Sequence, residues 1–169
     1  MPEDRGRPVC GFVSQESVSI ALGTTDFTAT GSKVDVGGNP DGSSLAQAIC
    51  DVYSDAVKGD RALVVAVQPI GSAARADAIV PRILAARDAR YVFPASGGQG
   101  FATSDQVVYS GAGVSHLLRG DWHYTVAIQK VASGRNAVDD AVAITRQLVA
   151  TLNLPKLGKL PRPTVTPSR

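Results

Sequence analysis

The sequence predicts an α+β fold, a mainly antiparallel sheet of about five to six strands packed with helices and tied by one disulfide. Three observations lead there. The later part of the chain carries strand-like runs joined by turns too short for parallel crossovers, which requires antiparallel neighbours. Helical patterns stand at both ends, after Ser14 and after Asn136, rather than alternating with every strand. The two cysteines, Cys10 and Cys50, bracket the first helix and a strand, a placement suited to a staple.

The first helix is expected from Ser14 to Leu22. Ser14 can cap it, Glu16 suits the positive first turn, Gly23 can close it, and Val13 and Val18 have the spacing of a hydrophobic staple. Asp26 to Val36 is Thr-rich with loose alternation and reads as an edge strand. A Gly/Asn/Pro/Asp loop follows. Ser44 to Ser54 admits a helical turn or a strand, and Ile49, Cys50, Val52 and Tyr53 favour a strand around Cys50. Arg61 to Gln68 is apolar on both faces, as a central strand requires.

Ser72 to Arg90 has a helical period broken by Pro81, so a kink or two short helices is expected. Tyr91 to Pro94 is a brief extended piece, and Gly97-Gly98-Gln99-Gly100 reads as a turn. Three strands of a meander come next, at Gln106 to Ser110, Val114 to Leu118 and Trp122 to Val131. In the last of them Trp122, Tyr124, Val126 and Ile128 face one way and His123, Thr125, Ala127 and Gln129 the other. One side is therefore expected to be buried and the other wetter. Asn136 caps the closing helix, which has Asp139 and Asp140 in its first turn and stops at Pro155.

Length bounds the rest. At 169 residues the chain reads as one domain over 10–154, with a polar linker at 1–9 and a disordered tail at 155–169, where four prolines and four basic residues meet no acid. A net charge of +2, with no basic face interleaved with aromatics, argues against nucleic acid. No apolar run is long enough to span a bilayer, so no membrane insertion of this chain is expected. The start lacks the apolar core of a signal peptide. Either the chain is cytoplasmic or it is an ectodomain whose leader or anchor has been removed. A Cys10–Cys50 bridge selects the second, because disulfides persist in oxidising compartments, while two reduced buried thiols would fit the first.

Few residues carry chemistry. His116 and His123, with Asp121 between them, form the one cluster resembling a metal or acid–base site, though without the spacing of a zinc motif. No nucleophile elbow and no Ser-x-x-Lys is present, and Cys50 as a nucleophile conflicts with its pairing. Gly97 to Gly100 lacks the Lys-Ser/Thr of a phosphate loop. Arg119-Gly120-Asp121 is a tripeptide that integrins read, but it stands where a hairpin turn is wanted. No cofactor is expected.

The run Cys10-Gly11-Phe12-Val13, then Ala21-Leu22-Gly23-Thr24, and Cys50 before a Val-rich strand resembles small secreted or lipid-anchored domains of actinobacteria. Gly98-Gln99-Gly100-Phe101-Ala102 and Leu118-Arg119-Gly120-Asp121-Trp122 fit the same pattern, that of DUF3558-like lipoproteins and kinase-sensor ectodomains. The resemblance implies a disulfide-stapled α/β sandwich outside the membrane, without an assigned activity. Cys10 follows Arg7-Pro8-Val9, which is no lipobox. The expected function is a non-enzymatic extracytoplasmic binding or sensor domain for an unknown small ligand or envelope protein. Gln99, Arg119, Asp121 and Trp122 form its expected contact surface. Two alternatives stand beside it: a cell-envelope hydrolase or metal-dependent enzyme using His116 and His123, and an interaction module that pairs through its edge strand.

Overall fold

The computed structural model describes residues 6–35, 45–54, 61–70, 89–104, 112–120, 122–152 and 154. The chain opens with a tight turn in which Cys10 (φ 54°) and Gly11 (φ 81°) both take left-handed backbone, and Phe12 N–H donates to Val9 O at 3.2 Å. Positive φ at both central residues defines a type I′ turn. Among the described residues Cys10 is the one non-glycine at positive φ. The turn delivers its sulfur to Cys50, and the two Cα atoms lie 5.7 Å apart, within the usual range for a bridge.

Helix α1, Gln15–Leu22, follows as its local signals require: Ser14 Oγ accepts from Ser17 N–H, and Gly23 closes it at φ 67°. Val13 and Val18, the staple pair, are fully buried. The strands are β1 (Phe27–Asp35), β2 (Leu45–Ser54), β3 (Arg61–Pro69), β4 (Tyr91–Val92), β5 (Gln99–Thr103), β6 (Gly113–Arg119) and β7 (Trp122–Ile128), and helix α2 covers Ala137–Leu152. Among the described residues they form one seven-stranded sheet in the order β1-β2-β3-β7-β6-β5-β4, every pair antiparallel. The α+β class therefore holds, with more strands than expected.

Two expectations are corrected. Gln99 and Gly100 belong to a strand rather than a turn: β5 pairs with β6 from Gln99↔Leu118 to Thr103↔Val114, and the tight turn is confined to Ala95–Gly97. The last strand ends at Ile128, not Val131, because Gln129 and Lys130 N–H both turn to Ala62 O and leave the ladder. The helix expected at Ser72 to Arg90 falls almost wholly, and the strand at Gln106 to Ser110 entirely, outside the described residues.

Alternation puts Cys50, Val52, Leu63, Val65, Val67, Leu117, Tyr124 and Val126 on one face, where α1 and α2 pack over them. Asn136 Oδ1 accepts from Val138 N–H at 3.0 Å, capping α2, and Arg135 forks onto the buried Asp140, its Nε donating at 2.9 Å. Helix and sheet are also tied by hydroxyls, since Ser115 and Thr145 contact each other and both donate to Ala141 O. The approach is close at the start of β6. A methyl group on Gly113 would lie 2.4 Å from the Ala137 carbonyl carbon and 2.7 Å from Val138 N. Backbone cannot give as a side chain tip can, so Gly113→Ala is expected to lower unfolding free energy by roughly 1–3 kcal/mol, read by urea denaturation.

The opposite face departs from the sequence expectation of a wetter side. Thr125 and Ala127 are buried, as are Ala62, Val64, Ala66, Phe101, Val114, His116 and Leu118, so β7 is closed off on both faces through most of its length. His123 and Gln129 keep partial exposure. A strand central to a sheet with two covered faces carries small or apolar residues on both, and Val114, Thr125 and Ala127 satisfy that.

Candidate functional site

Two places in the molecule bring together residues singled out by the sequence. The first is the sheet end where β5 begins and β6 turns into β7. Arg119 Nη1 donates to Gly97 O at 3.1 Å, which holds the two connections side by side. Gln99 is exposed and Arg119 half-buried. The register, however, splits the four candidates. Gln99 lies opposite Leu118 and shares the face of His116, whereas Arg119 lies opposite Trp122 on the helix face. Trp122 is only 1% exposed and packs in the main core, so its ring is not a surface platform in this conformation. Its indole Nε1 is buried without a hydrogen-bond partner among the described residues. Asp121 lies outside the described residues.

Arg119 also lends its charge to Tyr124, one strand away. Burial pushes the Tyr124 phenol up to about 12, the Arg119 cation opposing the shift, so the hydroxyl stays protonated at any physiological pH. What remains at this end is a guanidinium pinned by one carbonyl on the helix face and an exposed amide on the other. Such groups recognise acceptor oxygens, and the planar fork favours carboxylate or phosphate.

The second place is the face opposite the helices. His116 on β6 and His123 on β7 sit diagonally across the ladder, with His116 Nδ1 3.1 Å from His123 Nε2. Their rings stack at 5.4 Å between centroids, Phe101 tilts against His116 at 5.7 Å, and Thr125 Oγ1 lies 3.2 Å from the same His123 nitrogen. Gln68 faces His123 across the β3–β7 ladder. An N–H···N contact needs one lone pair, so the two rings cannot both be imidazolium while it persists. Desolvation agrees, because burial lowers the His116 pKa from 6.5 to about 4. Period-two alternation places Thr125 on the face of His123, but nothing local points to Gln68 or Phe101. Only the β3–β7 and β5–β6 registers bring those two to the pair.

The sign of the resulting pH dependence follows. Between about pH 4 and 6.5 the unfolded chain binds a proton at His116 that the folded chain refuses, so stability rises with pH across that window. It is at its full value above pH 6.5 and falls on acidification, by on the order of 3 kcal/mol once pH reaches the folded value. Urea denaturation at pH 7 and pH 4.5 should show this loss in the wild type and a reduced loss in His116→Gln.

Among the described residues no group of three or more His, Cys, Asp or Glu side chains is placed to hold a metal ion, and no helix is long and apolar enough to cross a membrane. Comparison with protein-family models, with curated proteins and with solved structures gave no match to this chain.

Proposed function

We propose that this chain is a non-enzymatic binding or sensor domain working outside the cytoplasm, in a secreted or membrane-anchored protein. The observation that carries the compartment is the Cys10–Cys50 bond, which joins the turn before α1 to the fully buried core of β2. A tie of that kind persists where thiols are kept oxidised. The resemblance to DUF3558-like lipoproteins and kinase-sensor ectodomains points the same way. The ligand surface we assign is the sheet end carrying Gln99 and Arg119, and the ligand is a small molecule or envelope protein offering acceptor oxygens. Support for it is the Arg119–Gly97 bond, which holds a cation against the connection that leads into Gln99 at the rim of the sheet.

A thermal-shift panel of small carboxylates, phosphates and cell-wall fragments tests this reading. A ligand that raises the wild-type midpoint but not those of Gln99→Ala and Arg119→Ala supports it. A hit that is indifferent to both substitutions rejects the surface, and a panel without hits rejects the small-ligand form. A second reading, a metal-dependent envelope enzyme, takes the neighbouring imidazoles of His116 and His123 as ligands and requires their mutual contact to open. Stoichiometric transition metal in purified protein, lost in His116→Ala, would establish it over the first.

A further inference from the structure

Strand β1 ends the sheet, and no described strand lies beyond it. It runs for nine residues without proline. Thr28, Ala29, Thr30, Gly31, Ser32 and Lys33 are all exposed, so this stretch of the strand is exposed on both faces. The opposite border of the sheet is the two-residue β4, too short to template another strand. Long edges are usually blunted by charge, bulge or proline, because their unpaired N–H and C=O groups recruit further strands. Here the single charge on the exposed stretch is Lys33, near one end, and the register shift of this strand lies beyond it, between Val34 and Asp35.

We infer that the outer edge of β1 pairs antiparallel with β1 of a second copy of this chain, joining two sheets across a two-fold axis. Symmetry restricts the register. The axis turns every pair i with j into j with i, so the two residue numbers must add to an even total, and one residue lies opposite itself. Centring on Thr30 sets Thr30 against Thr30 and Thr28 against Ser32 on one face, and Ala29 against Gly31 and Phe27 against Lys33 on the other.

That register is favoured by its side chains. Cross-strand Thr–Thr and Thr–Ser pairs are stabilising, while like charges directly opposite are not. Lys33 meets an aromatic ring rather than its own copy, and Phe27 sits on the helix face, where it is already packed against the core. The small residues between them leave the backbones free to reach ladder distance. A second copy is a better occupant than an unrelated strand because the hydroxyl series Thr28-Thr30-Ser32 complements itself when reversed. This inference does not depend on the ligand surface proposed above.

Light scattering across a concentration series up to about 1 mM, the affinity range of a marginal contact, reads the result directly. The expected outcome is a mass that climbs from 17.5 kDa toward twice that value. Thr30→Lys, which sets like charges across the axis, should hold the mass at that of a single chain with an unchanged melting temperature. Thr30→Cys should form a disulfide-linked dimer under mild oxidation, and Ser32→Cys should not. A wild type that stays a single chain throughout overturns the inference, as does a dimer indifferent to Thr30→Lys or a Ser32→Cys cross-link as efficient as that at position 30.

Discussion

Replacing both bridge residues, Cys10→Ala with Cys50→Ala, is expected to cost about 4 kcal/mol of unfolding free energy by loop-closure entropy. The bond closes a sequence separation of 40. Helix α1 has only eight residues, well below the length at which an isolated helix holds itself. Its attachment rests on Val13, Val18 and Ala21 in the core, on the Ala132 N–H to Ala21 O bond at 3.3 Å, and on the bridge. For a chain of this size the loss corresponds to a fall in melting temperature of roughly 8–16 °C. Differential scanning calorimetry with and without reductant should reproduce the same fall in the wild type and none in the double variant. An equal sensitivity of both to reductant would mean that the effect does not come from this bond.

Trp122→Ala is expected to be as damaging, roughly 3–5 kcal/mol, because it empties a large buried volume at the end of the main core. A tryptophan serving as a surface platform would cost no more than about 0.5 kcal/mol on removal. The two outcomes are far enough apart for one urea titration to decide between them. Trp122→Phe refines the point. It keeps most of the apolar volume and removes a buried N–H that has no acceptor among the described residues, a group whose desolvation costs about 1–3 kcal/mol. The phenylalanine variant should therefore fall far closer to wild type than the alanine one. Equal losses would mean that the indole nitrogen has an acceptor in solution, such as an ordered water.

These two results also separate what the sequence displayed from what it hid. Helix α1 was legible because each of its signals is local: Ser14, Glu16 and Gly23 act on atoms within a turn of themselves. The Cys10–Cys50 pair and the edge position of β1 were legible for related reasons, one from cysteine count and the other from a Thr-rich run of weak alternation. Strand β5 was not. Gly97, Gly98 and Gly100 read as a turn by composition, yet a Cβ on Gly100 would lie 2.0 Å from His116 O. That glycine serves a close approach between strands, which composition cannot distinguish from flexibility.

The candidate surface shows the same boundary. Period-two alternation grouped Trp122 with Tyr124 correctly, but which face the helices would cover was invisible until α2 was seen to pack there. Gln99 and Trp122 thus stand at one end of the sheet on opposite sides. The His116–His123 contact followed from a hairpin turn and was within reach. Its closed surroundings were not, since β3 and β5 reach it through pairings distant in sequence.

The most direct measurement is the intact mass of protein recovered from its native compartment, after unfolding in the presence of a thiol alkylator and without reductant. The expected result is a single species, lighter than the reduced chain by two hydrogens and carrying no alkyl group. Two alkyl groups on the chain would mean free Cys10 and Cys50 thiols, and the assignment to an oxidising compartment would be contradicted.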